Sequence, residues 1–218
     1  DARFQEGDTL GEVLAHVSNA PVWAVAHLAA VAYARRDLRA ALLLAGLVWN
    51  LTLAVVLKKT IKEPRPEEGC HLLDTCGSYG MPSSHAQFSA FLAAHAVLVA
   101  RRRGSNLRTL EASFLLALCL AVSWSRVYLG YHSWAQVAVG ATVGTLNASL
   151  WLRLMHAICG PIAWLEMSAL GSALCLKDSW RAPGCEAAKS PGLGLLGSSD
   201  LALERAALLR APGPKKDS

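Results

Sequence analysis

Two histidines and three cations in this sequence stand at the edges of apolar runs, in residue types suited to handling phosphate. They fall in the stretches Lys58-Lys59-Thr60-Ile61-Lys62-Glu63-Pro64-Arg65-Pro66, Pro82-Ser83-Ser84-His85 and Ser125-Arg126-Val127-Tyr128-Leu129-Gly130-Tyr131-His132. Phosphoryl transfer asks mainly for positioning and for neutralising charge on the equatorial oxygens, and fixed guanidinium and ammonium groups do both. Lys58, Arg65 and Arg126 are the candidates, the arginines being able to bind two oxygens at once. His132 precedes Ser133, and Ser133 with Gln136 forms the Ser-x-x-Gln signature of a helix capping box. A neutral imidazole at a helix N-terminus can attack phosphorus in line, because the positive end of the dipole disfavours its protonation beforehand. His132 is therefore the candidate nucleophile, forming a phosphohistidine. His85 is the candidate acid–base group that protonates the leaving oxygen and later activates water. Ser84 and Gln87 repeat the capping signature, so Ser83, Ser84 and His85 open a helix whose free amides can cradle an anion. These donors need no metal, and no Cys/His set has zinc spacing, so neither a metal nor another cofactor is expected.

The elements that must hold these groups are apolar. Of 218 residues, 53% are hydrophobic and 17% charged, and the mean hydropathy is +0.32. That is the composition of a small integral membrane protein rather than an ordinary soluble domain. A net charge of +5 would in a soluble chain suggest nucleic acid. Here the basic residues lie between apolar runs without aromatic–basic interleaving, which excludes that partner and leaves a lipid and the bilayer. The opening is acidic, lacks a Met and carries no cleavable-signal pattern, as in a trimmed chain.

Apolar runs cover residues 20–34, 38–57, 84–100, 110–124 and 134–154, the first weak and Ala-rich. A further run over 161–176 carries Glu166 and reads as interfacial or re-entrant, with a sixth span as the alternative. The expected fold is thus an all-α membrane bundle of about five to six spans. Residues 1–176 form the membrane domain and 177–218, rich in Gly, Pro, Ser and charge, a flexible tail. Arg35, Arg36, Arg39, Arg101, Arg102, Arg103, Arg108 and Arg153 mark the cytosolic ends of the spans. Alternation then brings all three motifs to the opposite face. Lys59 and Lys62 read as snorkelling cations, and Tyr79, Tyr128 and Tyr131 as packing or interface residues. His27, His95 and His156 read as bundle histidines, His71 as a solvated loop residue, and Cys119 and Cys159 as small membrane-facing residues. Cys70 and Cys76 share one non-cytosolic loop and could pair there.

The order Lys-x6-Arg-Pro, Pro-Ser-x-His, Ser-Arg-x5-His resembles the type 2 phosphatidic acid phosphatase family. The resemblance implies a helical membrane bundle whose active-site pattern is shared with vanadium haloperoxidases. Haloperoxidase chemistry is not expected in a membrane site, although vanadate should inhibit. The strings over 63–66, 79–88 and 125–137 are most similar to the dolichyldiphosphatases within that family. They imply cleavage of dolichyl diphosphate to dolichyl phosphate at the lumenal face of the endoplasmic reticulum, recycling the carrier used in N-glycosylation. The C-terminal Lys215-Lys216-Asp217-Ser218 resembles a dilysine retrieval signal of that membrane. Two departures stand out: Ser84 replaces a family glycine, and Gln136 replaces an aspartate four residues past the nucleophile. A carboxylate there would hold the histidine tautomer; Gln136 can orient the ring through its carbonyl oxygen but cannot offset charge, and it can equally be only a helix cap. Two other readings stay open: a plastid-envelope phosphatidate phosphatase producing diacylglycerol, and a non-enzymatic lipid-phosphate binding or transbilayer protein.

Overall fold

Helix boundaries fall where the apolar runs meet residues that cap or reverse the chain. Arg36 and Lys62 take left-handed φ values of 51° and 56°, Gly104 does so at 60°, and the Asp37 side chain accepts from Arg39 N–H to start the next helix. The computed structural model describes residues 7–177. In order these form α1 (Thr9–Ser18), α2 (Ala20–Arg35), α3 (Leu38–Ile61), α4 (Glu67–Leu73), α5 (Ser84–Arg103), α6 (Asn106–Tyr128), α7 (Trp134–Ala157), α8 (Cys159–Met167) and α9 (Ala169–Ala173). The described residues contain no strand, only an isolated bridge between Asp37 and Lys177. The fold is all-α. Of the tail read over 177–218, all but Lys177 lies outside the described residues.

Among the described residues, three helices are long and apolar enough to cross a membrane: Thr9–Arg35 taken together, Leu38–Ile61 and Asn106–Tyr128. A fourth is added if α7 and α8, bent by 51°, count as one broken span. The sequence reading had counted more because it included the run over 84–100. That run does form a helix, α5, about 30 Å long at 1.5 Å per residue. It is too polar to qualify because it fills the middle of the bundle instead of facing lipid. It packs most extensively on α7 and α6, and buries Gln87, Ser89 and His95 along with Phe88, Phe91 and Ala93. The lipid-facing role falls to helices such as α2, which has no buried residue and exposes Val22, Trp23 and Tyr33.

Two devices fix α5 against its neighbours. On α7, Gly140 and Gly144 form a Gly-x-x-x-Gly face: a Cβ at these positions would come within 2.6 Å of Ser83 O and 2.1 Å of Gln87 O. The helix backbones therefore touch, as small-residue faces allow. Second, Asn50 of α3 accepts from Gln87 Nε2 at 3.1 Å and from Asn147 Nδ2 at 2.9 Å, and Gln87 Nε2 also donates to Asn50 O at 2.8 Å. This buried polar pin joins α3, α5 and α7. It also explains why the capping box expected from Ser84 and Gln87 does not form. Ser83 is the N-cap, no side chain caps the helix, and Gln87 turns inward to Asn50. Cys119 likewise faces inward beside Ala90 and Ala93, Cys159 is disulfide-bonded, and His27 is exposed on α2 rather than satisfied within the bundle.

The backbone contact generates a specific expectation. Gly144→Ala destabilises the protein by about 1–3 kcal/mol, because its neighbour is a backbone carbonyl that cannot swing aside. Thermal unfolding in detergent reads this as a lowered midpoint, while Gly160→Ala, with nothing within 4 Å of the added carbon, leaves the midpoint unchanged or slightly higher. Equal midpoints for Gly144→Ala and the parent would dismiss the close approach as unimportant.

Candidate active site

All three motifs end at the same end of the bundle. Lys58 lies in the last turn of α3, His85 and Ser84 in the first turn of α5, Arg126 near the end of α6, and His132 just before α7. Arg65 sits in the irregular segment between α3 and α4. A Cys70–Cys76 disulfide closes the loop that follows, and its Gly69 presses on the backbone of Gly130 so tightly that a Cβ at Gly69 would overlap Gly130 O at 1.9 Å. The bridge removes both thiolates from any metal-ligand set with His71. The loop bearing Arg65 is thereby stitched to the segment bearing His132.

The cations are oriented individually. Arg65 donates through Nε to Ser78 Oγ at 2.8 Å and through Nη1 to Tyr131 O at 2.9 Å, which leaves Nη1 3.5 Å from His132 Nε2. Arg126 is 5% exposed, donates to Ser18 Oγ at 2.6 Å, and stacks with its Cζ 3.8 Å from the Tyr131 ring centroid. Lys58 Nζ donates to Tyr79 O at 3.2 Å. Lys59 and Lys62 are exposed. Lys58, Arg65 and Arg126 act electrostatically on both His85 and His132, so five of the sequence-derived residues share one pocket. Arg126 Nε and Ser83 Oγ are buried there without a partner in the protein, donors of the kind a bound anion would satisfy. The first-turn amides of α5 lack intrahelical acceptors and add to this set.

The tautomer of His132 follows from its neighbours. Gln136 Nε2 spends its two hydrogens on Glu63 Oε1 at 3.0 Å and Pro64 O at 2.7 Å. The other end of the amide, Oε1, must then accept, and it faces His132 Nδ1 at 3.1 Å and Ser133 N–H at 3.3 Å. Nδ1 therefore carries the hydrogen and Nε2 the lone pair, directed toward Arg65. Burial first, then Arg65, Arg126 and Lys58, pull the His132 pKa from 6.5 to about 2, against a smaller raising effect of Gln136. The resting ring is neutral, the state a nucleophile needs. Ser133 and Gln136 also complete the reciprocal capping box read from the sequence. Gln136 is thus both cap and ring-orienting group.

Several contributors were not legible beforehand. Tyr131, which reads from the sequence as a packing or interface residue, stacks under Arg126 and accepts from Arg65 through its carbonyl. Ser18 and Ser78, partners of the arginines, carry no motif. Glu63 and the carbonyl of Pro64 lie inside the Lys-x6-Arg-Pro stretch, which was the only available hint.

The family model described as PAP2 superfamily matches residues 38–158, which span every one of these motif residues. The chain belongs to the PAP2 superfamily. Membership makes it a lipid phosphatase of the membrane. Among similar proteins, human "Dolichyldiphosphatase 1" is 34% identical over 169 residues, covering 73% of this chain and 71% of the relative. "Lipid phosphate phosphatase gamma" of Arabidopsis thaliana is 33% identical over 192 residues, 83% of each chain. "Dolichyldiphosphatase" of Saccharomyces cerevisiae is 32% identical over 186 residues, covering 81% of this chain and 78% of the relative. No solved structure matches the chain.

The depressed His132 pKa has a consequence for stability. Below pH 6.5 the unfolded chain gains a proton on this imidazole that the folded site refuses until about pH 2. Stability therefore falls as pH drops through that window. In detergent, the midpoint of thermal unfolding is expected to decline from about pH 7 to about pH 4.5, and to decline less in His132→Gln. Parallel declines would show that His132 is not held neutral by its surroundings.

Proposed function

We propose that this chain is a metal-independent lipid pyrophosphate phosphatase that hydrolyses dolichyl diphosphate to dolichyl phosphate and phosphate. The observation that carries the reading is the fixed lone pair of His132 Nε2, 3.5 Å from Arg65 Nη1 and amid Lys58 and Arg126. Lys58, Arg65, Arg126, Ser83 and the amides at Ser84 hold the terminal phosphoryl group. Nε2 attacks its phosphorus, and an N–P bond forms as the P–O bond to the lipid phosphate breaks. His85, protonated once the bound diphosphate offsets the surrounding cations, gives that proton to the departing oxygen. It then takes a proton from water, whose oxygen attacks the phosphohistidine; the N–P bond breaks and inorganic phosphate leaves. One water is consumed, and both histidines return to their starting states apart from a proton exchanged with solvent. The cations neutralise charge on the equatorial oxygens, which is the work a metal does in other phosphoryl-transfer sites.

A cavity of ≈ 340 Å³ lined by Pro21, Val22, Val25, Leu51 and Phe88, with Ser84 and His85, offers an apolar path beside the phosphate site. It suits the first units of a lipid tail whose headgroup lies at His85. Arg36, Arg39, Arg102 and Arg153 stand at the opposite helix ends, which supports a cytosolic position for those ends and a lumenal site. The dolichyldiphosphatases of human and yeast favour the endoplasmic reticulum. A second reading, phosphatidate hydrolysis in a plastid envelope, has the Arabidopsis relative in its favour.

The leaving groups discriminate between the readings. A lipid phosphate departs as a weak base, whereas diacylglycerol departs as an alkoxide and depends more on the acid. Purified protein is expected to release phosphate from polyprenyl diphosphate faster than from phosphatidate, with His132→Ala losing on the order of 10³-fold or more on both. Of the two substrates, His85→Ala costs more on phosphatidate. Activity on phosphatidate alone transfers the chain to the second reading, and undiminished turnover by His132→Ala refutes the phosphohistidine.

A further inference from the structure

We propose that Glu63 is a positioning residue of this enzyme, acting on His132 through Gln136, so that the counter-charge of the nucleophile stands one side chain behind it. The inference rests on the phosphohistidine reading above. Gln136 is 2% exposed and has no freedom to flip, since its amide hydrogens are committed to Glu63 Oε1 at 3.0 Å and Pro64 O at 2.7 Å. Reversing it would set the amide oxygen against the oxygens of Glu63 and Pro64 and an N–H against the His132 Nδ1 hydrogen. Gly80 closes the arrangement: its N–H donates to Glu63 O at 2.7 Å, and a Cβ there would meet the Gln136 amide at 2.4–2.6 Å. The backbone of Gly80 thus lies against the relay, and a larger residue would push Gln136 off the ring.

The charge of Glu63 has a purpose that its hydrogen bond alone does not. The ring of His132 faces the charges of Lys58 from α3, Arg65 from the preceding loop and Arg126 from α6, with Gln136 of α7 on its Nδ1 side. Bonding Nε2 to phosphorus leaves the ring cationic among these groups. A neutral amide can fix the tautomer but offers only a dipole against that new charge. Glu63 supplies a full negative charge along the same line of hydrogen bonds, polarising the Gln136 amide so that its oxygen accepts more strongly from Nδ1. The distance through one intervening amide weakens the effect relative to direct contact, and it leaves His132 neutral at rest. A direct carboxylate would instead raise the ring's proton affinity.

Glu63→Gln separates charge from hydrogen bonding, because its side-chain oxygen can still accept from Gln136. Its kcat is expected to fall about tenfold with KM within about twofold, and its thermal midpoint to stay near the parent's. The exchange variant Glu63→Gln/Gln136→Glu puts the carboxylate directly on Nδ1 and should recover at least about a third of the lost kcat. In the substrate-free exchange variant, the 15N resonances of the His132 ring should titrate at least about one pH unit higher than in the parent. Parent-like kcat in Glu63→Gln, or an exchange variant with neither recovery nor an upward titration shift, overturns the proposal. The ring titration needs no turnover. If the parent hydrolyses no lipid phosphate at all, the functional reading fails while the titration still judges the relay.

Discussion

The backbone contact between α5 and α7 is the constraint on which the site depends. Gly140 and Gly144 allow α7 to lie directly on the carbonyls of Ser83 and Gln87, closer than any side chain would permit. His85 begins α5 and His132 immediately precedes α7, so the separation of these two helices at this end sets the separation of the two imidazoles. The hydrogen bond from Ser83 N–H to Gln136 O, 3.0 Å, ties the same two termini together. Helices held apart by leucines would sit about 8–10 Å axis to axis, the ordinary range, and would carry the two imidazoles further apart. Two features of the sequence that look unrelated, a small-residue repeat and a pair of histidine motifs, are therefore parts of one geometry.

Around this frame the protein concentrates positive charge that it does not neutralise internally. Lys58, Arg65 and Arg126 are turned toward one pocket by contacts with carbonyls, hydroxyls and an aromatic ring, none of which is charged. Carboxylate partners would have stabilised the empty protein and competed with phosphate. Neutral acceptors orient the cations while leaving their charge available, a form of preorganisation in which reorganisation is completed during folding rather than during catalysis. The same field keeps His132 unprotonated. On the proposed function, cations placed for the substrate also prepare the nucleophile, and one anion would relieve both conditions on binding.

Where spacing along the chain determines proximity, the sequence was informative. Ser133 and Gln136 lie one helical turn apart, so their capping box followed from local geometry alone. The apolar runs gave the starts of α2, α3, α5 and α7, while these helices continue past the ends of their runs, and α1 and α4 had no run of their own. The same local rule failed at Ser84 and Gln87, where a buried partner 37 positions away, Asn50, outcompeted the backbone for the Gln87 amide. Nor could hydropathy place α5 in the middle of the bundle, since it reports composition and not which neighbours surround a helix. Ser18 and Arg126 are 108 positions apart, and no pattern in a single sequence announces such a pairing. The Cys70–Cys76 bridge was open rather than predicted, and its packing against Gly130 was invisible.

Position 136 shows how a departure from a family pattern can be read physically. A carboxylate beside the nucleophile would fix its tautomer and balance its charge with a single group. Here the two tasks are divided: Gln136 sets the tautomer by direct contact, and a carboxylate, Glu63, stands behind it in hydrogen-bond contact. Division has a benefit in a pocket of this polarity. Direct pairing with a carboxylate would raise the ring's proton affinity against the three cations, whereas a carboxylate held one amide further away leaves the ring neutral and still faces the charge that develops on it. The intervening residue must then be immobile, which accounts for its burial, its four hydrogen-bond contacts and the glycine pressed against it. Rigidity around a neutral glutamine is what the proposed action of a remote charge on a specific nitrogen requires.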